Sequence, residues 1–125
     1  MKFLILLLLF IGTAGSCQNS EEIQEITAQD LDLQFKEITK LAASKNCTEG
    51  SQCSYIAYGS KACGGPQGYL VFSSEIDTEK LKDLVDKYTK AEAAYNKQNG
   101  IVSDCMFVTP PQTISCVDGE CTKMD

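Results

Sequence analysis

Apolar positions along this chain recur at two spacings, and the switch between them divides it into elements. Leu31, Phe35, Ile38 and Ala42 fall at helical intervals, with Leu41 beside them. Thr27-Ala-Gln-Asp30 ahead of them supplies a hydroxyl cap and an acid three residues on, so the pattern predicts an amphipathic helix from Thr27 to about Lys45. A second helical stripe runs through Leu81, Leu84, Val85, Tyr88, Ala91 and Tyr95. Ser74 or Asp77 can cap its start, and Asn99-Gly100 supplies a left-handed stop. Asp83/Lys87 and Asp86/Lys90 are placed for exposed i,i+4 ion pairs along it.

Between and after the helices the period shortens to two. Ser54 to Tyr58 alternates, with Tyr55 and Ala57 on one face and Ile56 and Tyr58 on the other. Tyr69 to Ser73 is more continuously apolar and reads as a strand covered on both faces. The connection from Gly59 to Gly68 holds four glycines and one proline, which favours tight turns and makes a hairpin the economical reading. In the tail, Cys105-Met-Phe-Val108 is a candidate strand and Pro110-Pro111 interrupts it. Thr113 to Val117 and Glu120 to Lys123 flank Asp118-Gly119, a strong two-residue turn signal. The expected architecture is α+β: a small disulfide-stabilised domain with an antiparallel sheet of about four or five strands packed with two amphipathic helices.

Composition narrows the chemistry. The chain has 125 residues, enough for one small domain, and contains no His, no Arg and no Trp. Without His there is no imidazole for a nucleophile–base pair, a proton shuttle or the commonest metal ligation. Without Arg there is no planar fork for phosphate, and the formal net charge is −6, becoming −7 if a leader carrying only Lys2 is removed. Nucleic acid is therefore not an expected partner. Asp77, Glu79, Asp83 and Asp104 are the carboxylates an enzyme could draw on. The first three belong to one helix start, where they complement the dipole, and the expectation is no catalysis and no cofactor.

The N-terminus has the form of a secretory signal peptide: Met1-Lys2, an apolar run from Phe3 to Ile11, then small residues. That run is shorter than the roughly 20 residues that span a bilayer. Ala14-Gly15-Ser16-Cys17 resembles the lipobox of bacterial lipoproteins, with Ala14 where Leu is usual. The resemblance implies removal of residues 1–16, a diacylglyceryl thioether on Cys17 and an acyl group such as palmitate on the new amino terminus. The lipid bilayer would be a partner through Cys17, and residues 17–26 would form an acidic tether to a single domain over 27–125. The expected location is the cell envelope, facing periplasm or exterior.

Cysteine parity agrees with export. Of seven cysteines, assigning Cys17 to lipid leaves Cys47, Cys53, Cys63, Cys105, Cys116 and Cys121, an even set suited to an oxidising compartment. Six allow fifteen pairings, which sequence does not choose among. Across the Asp118-Gly119 turn Cys116 and Cys121 would face each other, yet longer loops gain more from closure, which favours both reaching back to earlier cysteines. No Cys-x-x-Cys motif or zinc-type spacing is present, so no metal site is expected. Asn46-Cys47-Thr48 matches a glycosylation sequon, but its cysteine is better explained as a bridge end.

Two functional readings follow. The first is a non-catalytic binding or interaction module for an unknown protein or envelope ligand, with Tyr55, Tyr58 and Tyr69 and the loop residues Lys61, Gly64, Gly65, Pro66, Thr109, Pro110 and Pro111 as candidate contacts. The alternative is a proteinase inhibitor presenting Ser60–Ala62 or Val108–Thr113 as a bridge-stiffened loop. Val108-Thr-Pro-Pro-Gln-Thr113 resembles the Pro-Pro inhibitory loop of Bowman–Birk inhibitors over a handful of residues, although the cysteine spacing differs. Lys-Ala-Cys-Gly-Gly-Pro, with the later Ser-Asp-Cys and Cys-x-x-Gly-x-Cys, is similar to small exported bacterial proteins of no assigned activity.

Overall fold

The computed structural model describes residue 15 and residues 24–125. The rest of the leader, Cys17 and most of the tether lie outside the described residues. Helix α1 spans Ala28–Ala42, strand β1 Cys53–Tyr58, strand β2 Gly68–Ser73, helix α2 Thr78–Gln98, strand β3 Ile114–Val117 and strand β4 Glu120–Lys123. A 3-10 turn at Gly50–Gln52 precedes β1.

Local chemistry sets the helix ends. Thr27 accepts from the Asp30 backbone N–H at 3.1 Å while the Asp30 carboxylate takes the Thr27 N–H at 2.9 Å, a complete capping box. Asp77 caps α2 by accepting from Lys80 N–H at 3.0 Å. At the other end Gly100, at φ 59°, turns the chain left-handed and lets Ile101 N–H reach Asn96 C=O at 2.9 Å, closing a Schellman motif. The surface ion pairs run Lys36–Asp32 and Lys82–Asp86, so Asp86 reaches back to Lys82 rather than forward to Lys90. Among the described residues Asp83 and Lys87 form no pair.

Both helices cover one face of the β1–β2 hairpin. Ile38 and Ala42 from α1, Phe72 and Ile76, and Leu81, Val85 and Tyr88 from α2 form the buried cluster. Ile56 and Tyr58 pack against it from β1, and Phe35 lies between Tyr58 and Tyr88 with ring centroids 5.2 and 5.4 Å away. The opposite sheet face carries exposed Tyr55, edge-to-face with Tyr69 at 5.7 Å. The period-two alternation in β1 thus separates core from solvent as its sequence pattern requires.

The expected single sheet is not what forms. Among the described residues there are two separate two-stranded antiparallel sheets, β1–β2 and β3–β4. Cys105–Val108 joins neither: residues 101–111 contain no helix, strand, turn or bend, so the backbone there is extended but unpaired. An apolar run makes a strand only if a sheet edge receives it, and here side chains fasten the segment elsewhere. In β3–β4, Asp118 and Gly119 take φ values of 51° and 81°, the two left-handed positions of a tight hairpin turn. Cys116 and Cys121 are directly opposite yet do not bridge each other.

Leu81 is fully buried and Leu33 is 57% exposed, so truncating each to alanine separates core packing from surface effects. With all bridges intact, Leu81→Ala should lower the unfolding free energy by about 2–5 kcal/mol and Leu33→Ala by less than about 0.5 kcal/mol in denaturant titrations. Equal effects would contradict this core assignment.

Candidate functional site

Three disulfides organise the surface: Cys47–Cys116, Cys53–Cys121 and Cys63–Cys105, with sequence separations of 69, 68 and 42. The first two lie side by side. The sulfurs of Cys47, Cys53 and Cys121 are within 4.8 Å of one another, but each is bonded in a bridge and offers no thiolate to a metal. The third bridge stands apart and joins the loop after β1 to the segment after α2.

That loop is built from the helix outward. Thr89 Oγ1 accepts Gly59 N–H at 3.0 Å, Glu92 accepts Ser60 N–H at 2.6 Å, and the Asn96 amide donates to Ser60 C=O at 2.8 Å. These residues lie on one side of α2, so one helix face holds the start of the loop. Glu92 also accepts the Tyr88 hydroxyl at 3.0 Å. Burial first, then this hydrogen bond and the carboxylate charge, hold the phenol protonated well above its ordinary range. Gly59, at φ 79°, is crowded: a Cβ there would meet Glu92 Oε1 and Gln67 Cγ at 2.8 Å. Beyond it the chain folds into a knuckle, with Gly64 N–H donating to Lys61 C=O and Lys61 N–H to Gly65 C=O, both at 2.9 Å.

From this knuckle Lys61 reaches across to the second segment. Its side chain is only 11% exposed, and its ammonium ion-pairs with Asp104 and donates to Met106 C=O at 2.9 Å. Cys63 N–H donates to Ser103 Oγ at 3.1 Å. The knuckle and the 101–108 segment are therefore joined by a covalent bond, an ion pair and two further hydrogen bonds. Lys61, Gly64, Gly65 and Pro66, predicted as contacts on one loop, thus come together with Cys105 to Val108 around one shallow cleft. The Lys61 ammonium itself is turned inward and serves as a clamp. Thr109 and Pro110 are exposed outside the cleft, and Pro111 is buried.

The clamped segment displays apolar side chains, two of them in the run Cys105–Val108 whose sequence predicts a strand. Phe107 is 96% exposed, Val102 89% and Met106 74%. Their composition is what a buried strand would have, and no local signal separates the two cases. Of the three tyrosines, Tyr58 belongs to the core, whereas Tyr55 and Tyr69 stack on the outer sheet face. The four carboxylates considered for acid–base chemistry do not converge on one site. Asp77 is the cap of α2, Asp104 is in the clamp, and Glu79 and Asp83 lie on the exposed side of the helix.

Asp104 gives the clamp a pH signature. The Lys61 hydrogen bond, then the Lys61 charge and the Met106 N–H, lower its pKa below the ordinary 3.8. A depressed folded value means the clamp is fully formed above the unfolded carboxylate range and is lost as pH falls through the lowered value. In an NMR titration the Asp104 carboxyl should titrate below 3.8, with the Met106 amide signal following it. Asp104→Asn should shift the Met106 and Phe107 amides at neutral pH while leaving β1 and β2 unmoved. Titration at or above the ordinary value would contradict the clamp.

In comparisons with known proteins, no family model matches the chain, and no curated protein or solved structure matches it.

Proposed function

We propose that this protein is an exported, lipid-anchored interaction module without catalytic activity, and that its contact surface is the clamped segment from Ile101 to Val108. One observation carries the reading: three large apolar side chains, on Val102, Met106 and Phe107, stand exposed on a backbone fastened at Cys105, Asp104 and Met106. Exposing such a cluster loses the benefit of burial, about 25 cal/mol per Å² of apolar surface. A segment fixed so that it does not fold back onto its own domain is suited to burial against something else.

Export is supported by the three disulfides, which persist in oxidising compartments. The lipid anchor rests on the lipobox-like leader and on Cys17, the one cysteine of seven outside the three bridges. Absence of catalysis is supported by the lack of His and by the structural engagement of Asp77 and Asp104.

Two experiments test the two halves. Expressed with its leader in a bacterial host, the protein should fractionate with membranes and carry a diacylglyceryl mass on Cys17, while Cys17→Ser should be released. An unmodified Cys17 would refute the anchor. A photoreactive benzophenone side chain at position 107 should give a discrete adduct in the envelope of cells that make the protein, and one at Lys82 on the solvated face of α2 should not. Identical labelling from both positions would remove the contact surface.

A further inference from the structure

We infer that the 101–108 segment docks into a serine endopeptidase with a deep apolar primary pocket, Phe107 filling that pocket and the Phe107–Val108 peptide bond lying where a substrate's scissile bond would lie. The inference rests on the contact surface proposed above and names the class of its partner.

The backbone comes first. Residues 101–111 are extended with no turn or bend, and Asp118 is the only non-glycine residue at positive φ among those described. The backbone N–H and C=O groups of Cys105 and Phe107 have no hydrogen-bond partner among the described residues. An extended strand with free main-chain groups is the form in which a peptide adds to the edge of a receiving sheet, its main chain giving affinity and alternate side chains entering pockets. The same free groups argue against a bilayer as the partner, because a peptide group carried unpaired into hydrocarbon costs several kcal/mol.

The side chains narrow the choice further. Phe107 is 96% exposed while the next residue, Val108, is half-buried, so one bulky aromatic group projects beside a side chain held against the domain. A single projecting ring suits a deep slot, and an apolar slot is what the chymotrypsin type of primary pocket provides. Lys61, the only lysine in either loop, is held inward, which excludes it as the primary group for a trypsin-type pocket.

Both flanks of the Phe107–Val108 bond are fixed. Upstream, Cys105 is bridged to Cys63 and Met106 C=O is held by Lys61. Downstream, Pro110 and buried Pro111 restrict the chain. The segment is thus held by its flanks and loses little conformational freedom on docking, which is how a substrate-like loop becomes an inhibitor.

The test uses the full chain in detergent with its bridges intact, against chymotrypsin, trypsin and elastase acting on small chromogenic substrates. Competitive inhibition of chymotrypsin is expected. Phe107→Lys should weaken it by at least about 100-fold, as loss of a central anchor does, and should transfer inhibition to trypsin. The ring is almost fully exposed, so this variant should fold normally, and unchanged thermal unfolding will verify that. No inhibition at high micromolar concentration, cleavage at Phe107–Val108 at ordinary substrate rates, or inhibition indifferent to Phe107→Lys would each overturn the inference. A position-107 adduct in cells without protease inhibition would leave the contact surface standing and remove only the protease, whereas loss of both would remove the two readings together. Phe107-dependent binding of the Cys17→Ser protein to phosphatidylethanolamine–phosphatidylglycerol vesicles, without inhibition, would overturn the inference in favour of a lipid surface.

Discussion

The adjacent bridges Cys47–Cys116 and Cys53–Cys121 are the constraint on which the C-terminal hairpin depends. Among the described residues the buried apolar cluster runs from Ile38 to Tyr88, and none of its members comes from β3 or β4. A two-stranded hairpin of four residues per strand is at best marginal by itself in water. What fastens it is sulfur, with help from Cys47 N–H donating to Gly119 C=O at 3.0 Å. In the chain-entropy model, closing the first loop of nearly seventy residues contributes roughly 4 kcal/mol, and the second bridge, beside it, closes only a short additional loop and contributes less; even the first is a large share of the net stability of a small domain. The two helices and the first hairpin fold around apolar packing, and the C-terminal hairpin is tied to them.

The same division explains how the 101–108 segment stays where it is. An exposed Phe, Met and Val would ordinarily collapse onto the nearest apolar surface. Here the third bridge, the Lys61–Asp104 pair and the bond to Met106 C=O hold the backbone away. Their anchor on the other side is the knuckle seated on α2 by Thr89, Glu92 and Asn96. The presented side chains are thereby connected to the rigid core through a chain of hydrogen bonds and one covalent bond. That connection makes a pre-organised contact segment a reasonable proposal for residues that otherwise lack a role.

Much of the fold was legible because it is governed by local rules. Thr27 with Asp30, Asp77, Asn99-Gly100 and Asp118-Gly119 each mark a backbone event that a few neighbouring residues determine. The helix stripes and the faces of β1 follow from periodicity alone. The reading of Cys105–Val108 as a strand failed for the opposite reason. Apolar content reports that a segment seeks burial, and it is silent on whether its own sheet or a separate molecule supplies the cover. Lys61 could not be recognised as a clamp, since its partners Asp104 and Met106 lie more than forty residues away. The pairing of the cysteines was likewise a matter of three-dimensional neighbourhood, although the preference for long closures pointed Cys116 and Cys121 backward.

The account is tested most directly by mass spectrometry of peptides from the unreduced protein, digested under acidic conditions that prevent exchange. It predicts linked peptides joining Cys47 to Cys116, Cys53 to Cys121 and Cys63 to Cys105. A Cys116–Cys121 link, or free thiols at any of the six positions, would contradict it.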